Sequence, residues 1–434
     1  MRSSFSPADH PDSYYVATAR DLVERPALDE TLNVDIGVIG GGLTGINTAL
    51  ELAQAGFSVA VLEAHRIGWG ASGRNGGELI RGIGHDLTPF EPHIGQEGIH
   101  ALQMMGFEAV DIVRERIQRY DIDCDLHWGY ADLAMRPRHL RALEAEQAEL
   151  QALGYPHQLA LLDRHSVTQV VNSDRYLGAL VDEGSGHLHP LNLLLGEASA
   201  AERLGVRLFE SSPAQQLQVV NDKVVVTTPK GVLNCDQLVL AGNAYIGHQL
   251  APYAGARVLP AGSYVVATES LDESLCEQLM PGGRAVADMR VALDYYRISK
   301  DRRLIFGGLC TYSGRDPQDI RAALQPNLAH VFPQLKEVAL EYAWGGMIGI
   351  GANRLPQIGH IPGQPQVLYA QAYAGHGLNA THMAARVLAE HLQGHSERFD
   401  IFHRVPHMAF PGGAYLRSPL LAVGMLWHRF KDLF

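Results

Sequence analysis

Three glycines and one acid, at fixed spacing, are the residues of this chain best suited to hold a phosphorylated ligand. Gly40, Gly42 and Gly45 form G-x-G-x-x-G, and Glu63 stands 18 residues past the last of them. Gly40 permits a tight strand-to-helix turn. Gly42 lets a pyrophosphate approach the backbone, and Gly45 lets the helix pack close to the strand. Leu43 and Thr44 open that helix, whose N-terminus offers free N–H groups and a positive dipole end. Glu63, followed by Ala64, is placed to accept hydrogen bonds from a ribose, and its charge repels a 2′-phosphate, which disfavours NADP.

These residues need a strand, a helix and a second strand around them. Residues 34–39 are an apolar run suited to a buried parallel strand. Ile46, Ala49, Leu50 and Ala53 recur at helical spacing, Gly56 ends the helix, and 57–62 give the second strand. The context is the one that gives a G-x-G-x-x-G its meaning.

Further small-residue loops follow. HRIGWGASGRNGG (65–77) is dense in glycine, so its backbone can lie against a ligand. Gly70, Ala71, Ser72, Gly73, Arg74, Asn75, Gly76 and Gly77 are therefore expected to contact the cofactor. The strand in 236–245 ends in Ala241, Gly242 and Asn243, and Ala214 lies between earlier strands; all four join the expected set. So do Gly346 and Gly349, and the run Gly375, His376, Gly377, Leu378 and Asn379 that opens a helix over 378–392. Helices are also expected over 97–121, 139–153 and 191–204. Strands are expected over 206–209, 216–220 and 224–228, with Asn221-Asp222 as a hairpin turn. Residues 262–345 alternate apolar and polar, the pattern of an antiparallel sheet and so of a second domain.

Composition narrows the classes. A net charge of −12 disfavours nucleic acid as a partner. The N-terminal stretch has no apolar signal-peptide region, and no run approaches 18 apolar residues. Four scattered cysteines form no C-x-x-C, which speaks against zinc and for a reducing cytoplasm. His187 and His189 lack an evident third ligand, so no metal is expected.

The amino-terminal unit, GASGRNGG, VLAGNAY and AGHGLNATHMAA together resemble the D-amino-acid oxidase (DAO) family of FAD-dependent oxidoreductases, over roughly residues 33–394. The resemblance implies FAD and an α/β (α+β overall) architecture. A discontinuous Rossmann-like FAD-binding domain (33–95, 158–250 and 346–395) would carry an antiparallel-sheet substrate or cap domain (96–157 and 251–345). An arm (1–32) and a tail (396–434) would flank them. It also implies oxidation of a carbon–nitrogen bond in a small-molecule amine, with O2 as acceptor. AWGGMIGIG lacks the cysteine that bonds the flavin in many relatives, so FAD is expected to be non-covalent, and Cys310 to be a small core residue.

A flavin takes electrons from the neutral amine, whereas an alkyl amine is mostly charged at pH 7. An apolar, aromatic pocket would lower the amine pKa by desolvation. Tyr264, Tyr295, Tyr296 and Trp344 are candidates for its wall, Tyr296 and Trp344 at the reacting end, although each is also explained by core packing. His376 would face the ring or simply bond to backbone. Arg297 and Arg315 are available for a substrate carboxylate. The tail from Pro419 to Phe434 is apolar and then basic, like an interfacial helix or a helix packed on its own chain.

Overall fold

A computed structural model describes residues 9–290, 292–311 and 316–410. Arg315 and the stretch 419–434 lie outside the described residues.

Two mixed sheets share the chain. The first has eight strands. Its parallel centre runs in the order Gln364–Gln371, Val232–Leu240, Thr31–Ile39, Val59–Leu62 and Arg207–Phe209. Gln357–Ile361 adds an antiparallel edge, and the hairpin Gln216–Val220/Lys223–Thr227 pairs onto Val232–Leu240. Asn221 and Asp222 turn that hairpin with φ of 51° and 63°, as a tight two-residue turn requires. The helices Leu43–Gln54, Pro190–Arg203 and Gly377–Leu392 bury their apolar faces in one core with the sheet.

The second sheet has nine strands, in the order Leu340–Ile350, Leu259–Thr268, Leu304–Thr311, Tyr295–Ile298, Ala285–Asp288, His127–Ala134, Gly178–His187 and Glu78–Leu79, with Leu159–Leu162 paired to Gly178–His187. Tyr296, Phe306 and Tyr264 point to one side of it, into a core closed by the helix Ile320–Val331.

Four expected boundaries move. Strands Leu159–Leu162 and Gly178–His187, assigned to the FAD-binding domain by sequence, belong to the second sheet. The helix Glu91–Tyr120, expected in the cap, instead buries Leu102, Met105, Ala109 and Val113 in the first core, against the helix Gly377–Leu392. An apolar stripe fixes that a helix has a buried face, not which core receives it. Leu340–Ile350 runs unbroken across the expected boundary at 345/346. In the expected tail, the helix Glu397–Arg404 buries Phe399 and Phe402 in the first core.

Part of the N-terminal arm is interior. Tyr14 and Tyr15, in the short helix Tyr14–Ala17, are buried between the helix Pro190–Arg203 and the second sheet, edge-on to one another, with Tyr15 edge-on to Trp344 at 5.2 Å. Among the described residues, no helix is long and apolar enough to cross a membrane.

Candidate active site

The first glycine turn has the expected close approaches. Gly40 has φ +115°, and a Cβ there would lie 2.8 Å from Ala241 O. A Cβ on Gly45 would lie 1.9 Å from Gly40 O, so no side chain fits between this helix and the turn before it. Gly42 faces Ser72, whose Oγ accepts from Leu43 N at 2.9 Å and sits at the helix N-terminus. Glu63 accepts from Gly41 N at 2.7 Å and from His65 N at 2.9 Å. Burial raises its pKa, and these two N–H groups work against the rise. Ala64 beside it is exposed.

A second helix N-terminus completes the cradle. Ala372, Ala374 and Gly375 all have positive φ, and His376 then starts Gly377–Leu392 without capping it through its side chain. Thr44 Oγ1 and Tyr373 OH, 2.8 Å apart, tie the two helix starts together. Deeper in, Asn47 Nδ2 donates to Glu197 Oε2 at 2.8 Å, and His382 Nε2 lies 2.6 Å from Glu197 Oε1. This fully buried pair locks three helices in register behind the cradle. Asn379 Nδ2 donates to Gly82 O at 2.7 Å, so its side chain braces the backbone instead of pointing outward.

The loop 65–77 closes the cleft. Gly70 packs on Tyr245, Ala71–Gly73 form one 3-10 turn, and Asn75 Nδ2 donates back to Ala71 O and Ser72 O. Arg74 lies over the Trp69 ring at 4.3 Å and donates to Trp69 O and Gly345 O. Its Nη2 is buried without a partner. Gly346 packs against the Arg74 side chain. Asn243 Oδ1 accepts from Ala372 N at 2.9 Å and fills the space a Cβ on Gly349 would need. Asn243 thus joins the ends of Val232–Leu240 and Gln364–Gln371 to the last strand of the other sheet. Ala214 is half-buried in a separate core with Leu62 and Phe209.

These residues fit a bound dinucleotide: two helix starts lie side by side, a buried guanidinium nitrogen lacks an acceptor, and the glycines leave the backbone bare. Glycines 40, 42 and 45, with Leu43, Thr44 and Glu63, form the half of the cradle that would hold the phosphates and ribose. The loop 70–77 and residues 346, 349 and 375–379 form the half that would hold the ring.

The aromatic candidates divide. Tyr295 is half-buried, with its ring crossing from Gly76 to Gly307. Tyr296, one residue on, points the other way. It stacks on Phe306 and bonds Tyr176 OH at 2.8 Å inside the second core, which corrects the expected role beside the reacting atoms. Adjacent strand residues face opposite sides of a sheet, and only one of the pair can face the cleft. Tyr264 is likewise core, bonded to Asp316 Oδ1 at 2.7 Å and to Thr311 Oγ1 at 2.9 Å. Trp344 is buried under the loop, its Nε1 donating to Arg74 O at 3.0 Å.

Arg297 is buried and donates to Gly76 O at 2.7 Å, Leu188 O at 2.9 Å and Tyr15 OH at 3.1 Å. It clamps the glycine loop to the sheet, in place of the expected substrate carboxylate. Cys310, expected in the core, is half-buried on the strand beside Tyr295. His376 stands 5.4 Å from His85, ring to ring. Burial and then the neighbouring His85 and Arg81 lower its pKa to about 4, so its ring is neutral at pH 7.

Several site residues carried no recognised signal. Tyr15 OH donates to Gly76 O at 2.9 Å, beside Arg297. Tyr245 OH accepts from Met347 N at 2.7 Å. Glu78 ends the glycine loop with a buried carboxylate oxygen that has no partner. The available hints were a Tyr-Tyr pair in an otherwise polar arm and an acid directly after Gly76-Gly77.

The family profile "DAO: FAD dependent oxidoreductase" matches residues 35–391. The chain belongs to the DAO family of FAD-dependent oxidoreductases. Among curated relatives, it is 43% identical over 424 residues to "Gamma-glutamylputrescine oxidoreductase" of Escherichia coli (strain K12), covering 98% of this chain and 99% of the relative. It is 36% identical to "Probable oxidoreductase OrdL" of Haemophilus influenzae, over 99% of each chain. Among solved structures, glycine oxidase from Geobacillus kaustophilus superposes with a TM-score of 0.71 at 20% identity, over 87% of this chain and 100% of the other, which shows the shared fold.

Proposed function

We propose that this DAO-family enzyme oxidises a primary amine at the end of a flexible chain, with γ-glutamylputrescine as the leading candidate. The products would be an aldehyde, ammonia and hydrogen peroxide. The observation that carries this reading is the near-full-length relation to a protein named for that substrate. Bound FAD would supply the electron acceptor for this oxidation, with O2 reduced to the peroxide and water consumed in releasing the ammonia. The chain's own residues bind, orient and dry the reacting end. Trp344 and Tyr15 hold the glycine loop from below, Tyr295 forms part of the wall, and the neutral His376 adds no positive charge beside the amine.

A substrate whose amino-acid head lies far from the reacting amine needs no carboxylate clamp at the ring. Arg297 supports this, because its guanidinium is committed to Gly76 O, Leu188 O and Tyr15 OH. Binding energy from the head would then position the amine, so losing the head should lower turnover as well as affinity. Arg315, as a partner for that head, is part of the proposal on sequence alone.

The test compares peroxide release from γ-glutamylputrescine, putrescine, sarcosine and D-alanine. The γ-glutamyl compound is expected to react best and putrescine much more slowly. A preference for sarcosine or D-alanine would keep the oxidase and overturn the substrate. Flavin that bleaches anaerobically but fails to recover in air would point to a dehydrogenase with another electron acceptor. Acid precipitation of the yellow protein is expected to leave the colour in the supernatant, since 340–350 offers no cysteine; colour in the pellet overturns non-covalent binding.

A further inference from the structure

Glu78 is a buried acid with one carboxyl oxygen left open. Its Oε1 is buried and accepts no hydrogen bond. Burial raises its pKa, with Arg297 acting in the opposite sense. A buried carboxylate oxygen with no donor is uncommon in folded proteins and calls for a reason.

The nearest cation does not supply one, because Arg297 donates to two backbone carbonyls and a tyrosine instead of to Glu78. The carboxylate instead lies over the glycine loop: a Cβ on Gly76 would meet Glu78 Oε2 at 2.2 Å and Tyr295 Cε2 at 2.5 Å. Tyr295 in turn packs with Tyr130, Ala285, Ala287 and Ile80 in a small apolar cluster on the same part of the sheet. Tyr130 OH donates to Asp132 Oδ1 at 3.0 Å, so a second acid stands behind the first ring. An anion edged by an aromatic ring beside the glycine loop is the chemistry that receives an organic cation: the carboxylate accepts its N–H, and the ring adds cation–π attraction.

We infer that Glu78, flanked by Tyr295, anchors the ammonium end of the substrate and sets the enzyme's preference for amines without an adjacent carboxylate. This deepens, and rests on, the amine-oxidase reading above. An α-amino acid would bring its own carboxylate toward Glu78 and be repelled. A chain amine would bring only a cation, whose proton passes to the Glu78 carboxylate so that the amine meets the ring neutral. The preference then comes from an acid in the wall rather than from a missing arginine.

The test is Glu78→Gln, which keeps the volume and removes the charge, with Glu78→Asp as the conservative variant. In the Gln variant, FAD content per chain is expected to stay at the native level while KM for γ-glutamylputrescine rises roughly tenfold or more, the scale of one charge-assisted hydrogen bond. The Asp variant should recover part of that loss. Butylammonium should compete with substrate on the native enzyme and lose potency in the Gln variant; butyrate should bind poorly to the native enzyme and better to the variant. Unchanged KM and inhibition in a flavin-loaded Gln variant would overturn the inference. Flavin loss from that variant would also overturn it, assigning Glu78 to the cofactor loop instead. If the native enzyme oxidises none of the amines, the functional reading fails separately. Native holoenzyme titrated with butylammonium and with butyrate, followed by flavin absorbance, still decides the anchor: tighter butyrate binding rejects it, and tighter butylammonium binding supports it.

Discussion

The two halves of the cleft are made in different ways. The half that would hold the phosphates and ribose is backbone: three glycines, two helix starts and one acid, most of it within 24 residues of chain. The half around the reacting end is side chain. Tyr15, Glu78, Tyr295, Arg297 and Trp344 meet there from positions up to 329 residues apart. A backbone site tolerates little change in shape but depends on few side chains. A side-chain site depends on many and can be retuned one residue at a time. The contrast separates a site fixed by the path of the chain from one set by individual side chains.

The contrast can be broken most severely at Gly45. Gly45→Ala places a Cβ 1.9 Å from Gly40 O, backbone against backbone. Overpacking of that kind is expected to cost about 3 kcal/mol or more and to abolish flavin retention, read from denaturation and from the flavin-to-protein ratio. A Gly45→Ala protein with normal flavin would mean that the cradle is not made of close backbone contacts. Glu63→Ala comes next. It removes the acceptor for Gly41 N and His65 N and the expected ribose contact. A loss of about 1.5–3 kcal/mol, roughly ten- to a hundredfold in FAD affinity, is expected in a folded protein. Unchanged affinity would take Glu63 off the ribose.

Acid should act on both halves through histidines held neutral by burial. The pKa is lowered to about 4 in His376 and His189 and to about 3 in His187, each time chiefly by desolvation. A histidine whose folded pKa lies below its unfolded value near 6.5 binds fewer protons folded than unfolded between those two values. Its contribution is therefore complete above about pH 6.5 and is lost as pH falls toward 4 or 3, at no more than about 1.4 kcal/mol per pH unit per group. In His189 protonation carries a further cost: Nδ1 accepts from Asn192 N at 3.1 Å and caps Pro190–Arg203, a bond that a protonated Nδ1 cannot accept. Asp132, raised to about 7 chiefly by burial, acts in the opposite sense over the same window, so the histidine share is read by difference: denaturant midpoints should fall more between pH 7 and 5 in the native protein than in His189→Asn, and an equal fall would contradict the burial of this ring.

Tyr15→Phe is the mildest probe. It leaves the ring in place against Trp344 and removes the hydroxyl between Gly76 O and Arg297 Nη2. About 1 kcal/mol of stability is expected to go, with a larger effect on KM for the amine than on FAD affinity. The opposite order would place Tyr15 with the cradle.

What could be read from the residues alone follows the same division. The glycine turn and the Asn221-Asp222 hairpin were legible because each demands an unusual backbone from consecutive residues. The choice between Tyr295 and Tyr296 was not, since two identical neighbours on a strand leave the buried side undecided until the sheet's two faces are known. Nor was the home of Glu91–Tyr120, whose stripe suits either core. Arg297 and Glu78 were obscured for a different reason. One charge was expected to meet a ligand and meets backbone carbonyls, and the other drew no expectation and is left open.

The buried arm also orders events in time. On the ribosome, Tyr15 is made 282 residues before Arg297 and still longer before Trp344. At ~5–20 residues per second, that interval is on the order of fifteen seconds to a minute, during which the two tyrosines have at most the helix Pro190–Arg203 to pack against. The glycine motif emerges early, yet the loop that closes over it cannot be clamped until the second sheet has been synthesised. The first residues described are thus among the last to settle, and nascent chains stopped short of Trp344 should leave Tyr15 open to proteases and to hydrogen exchange.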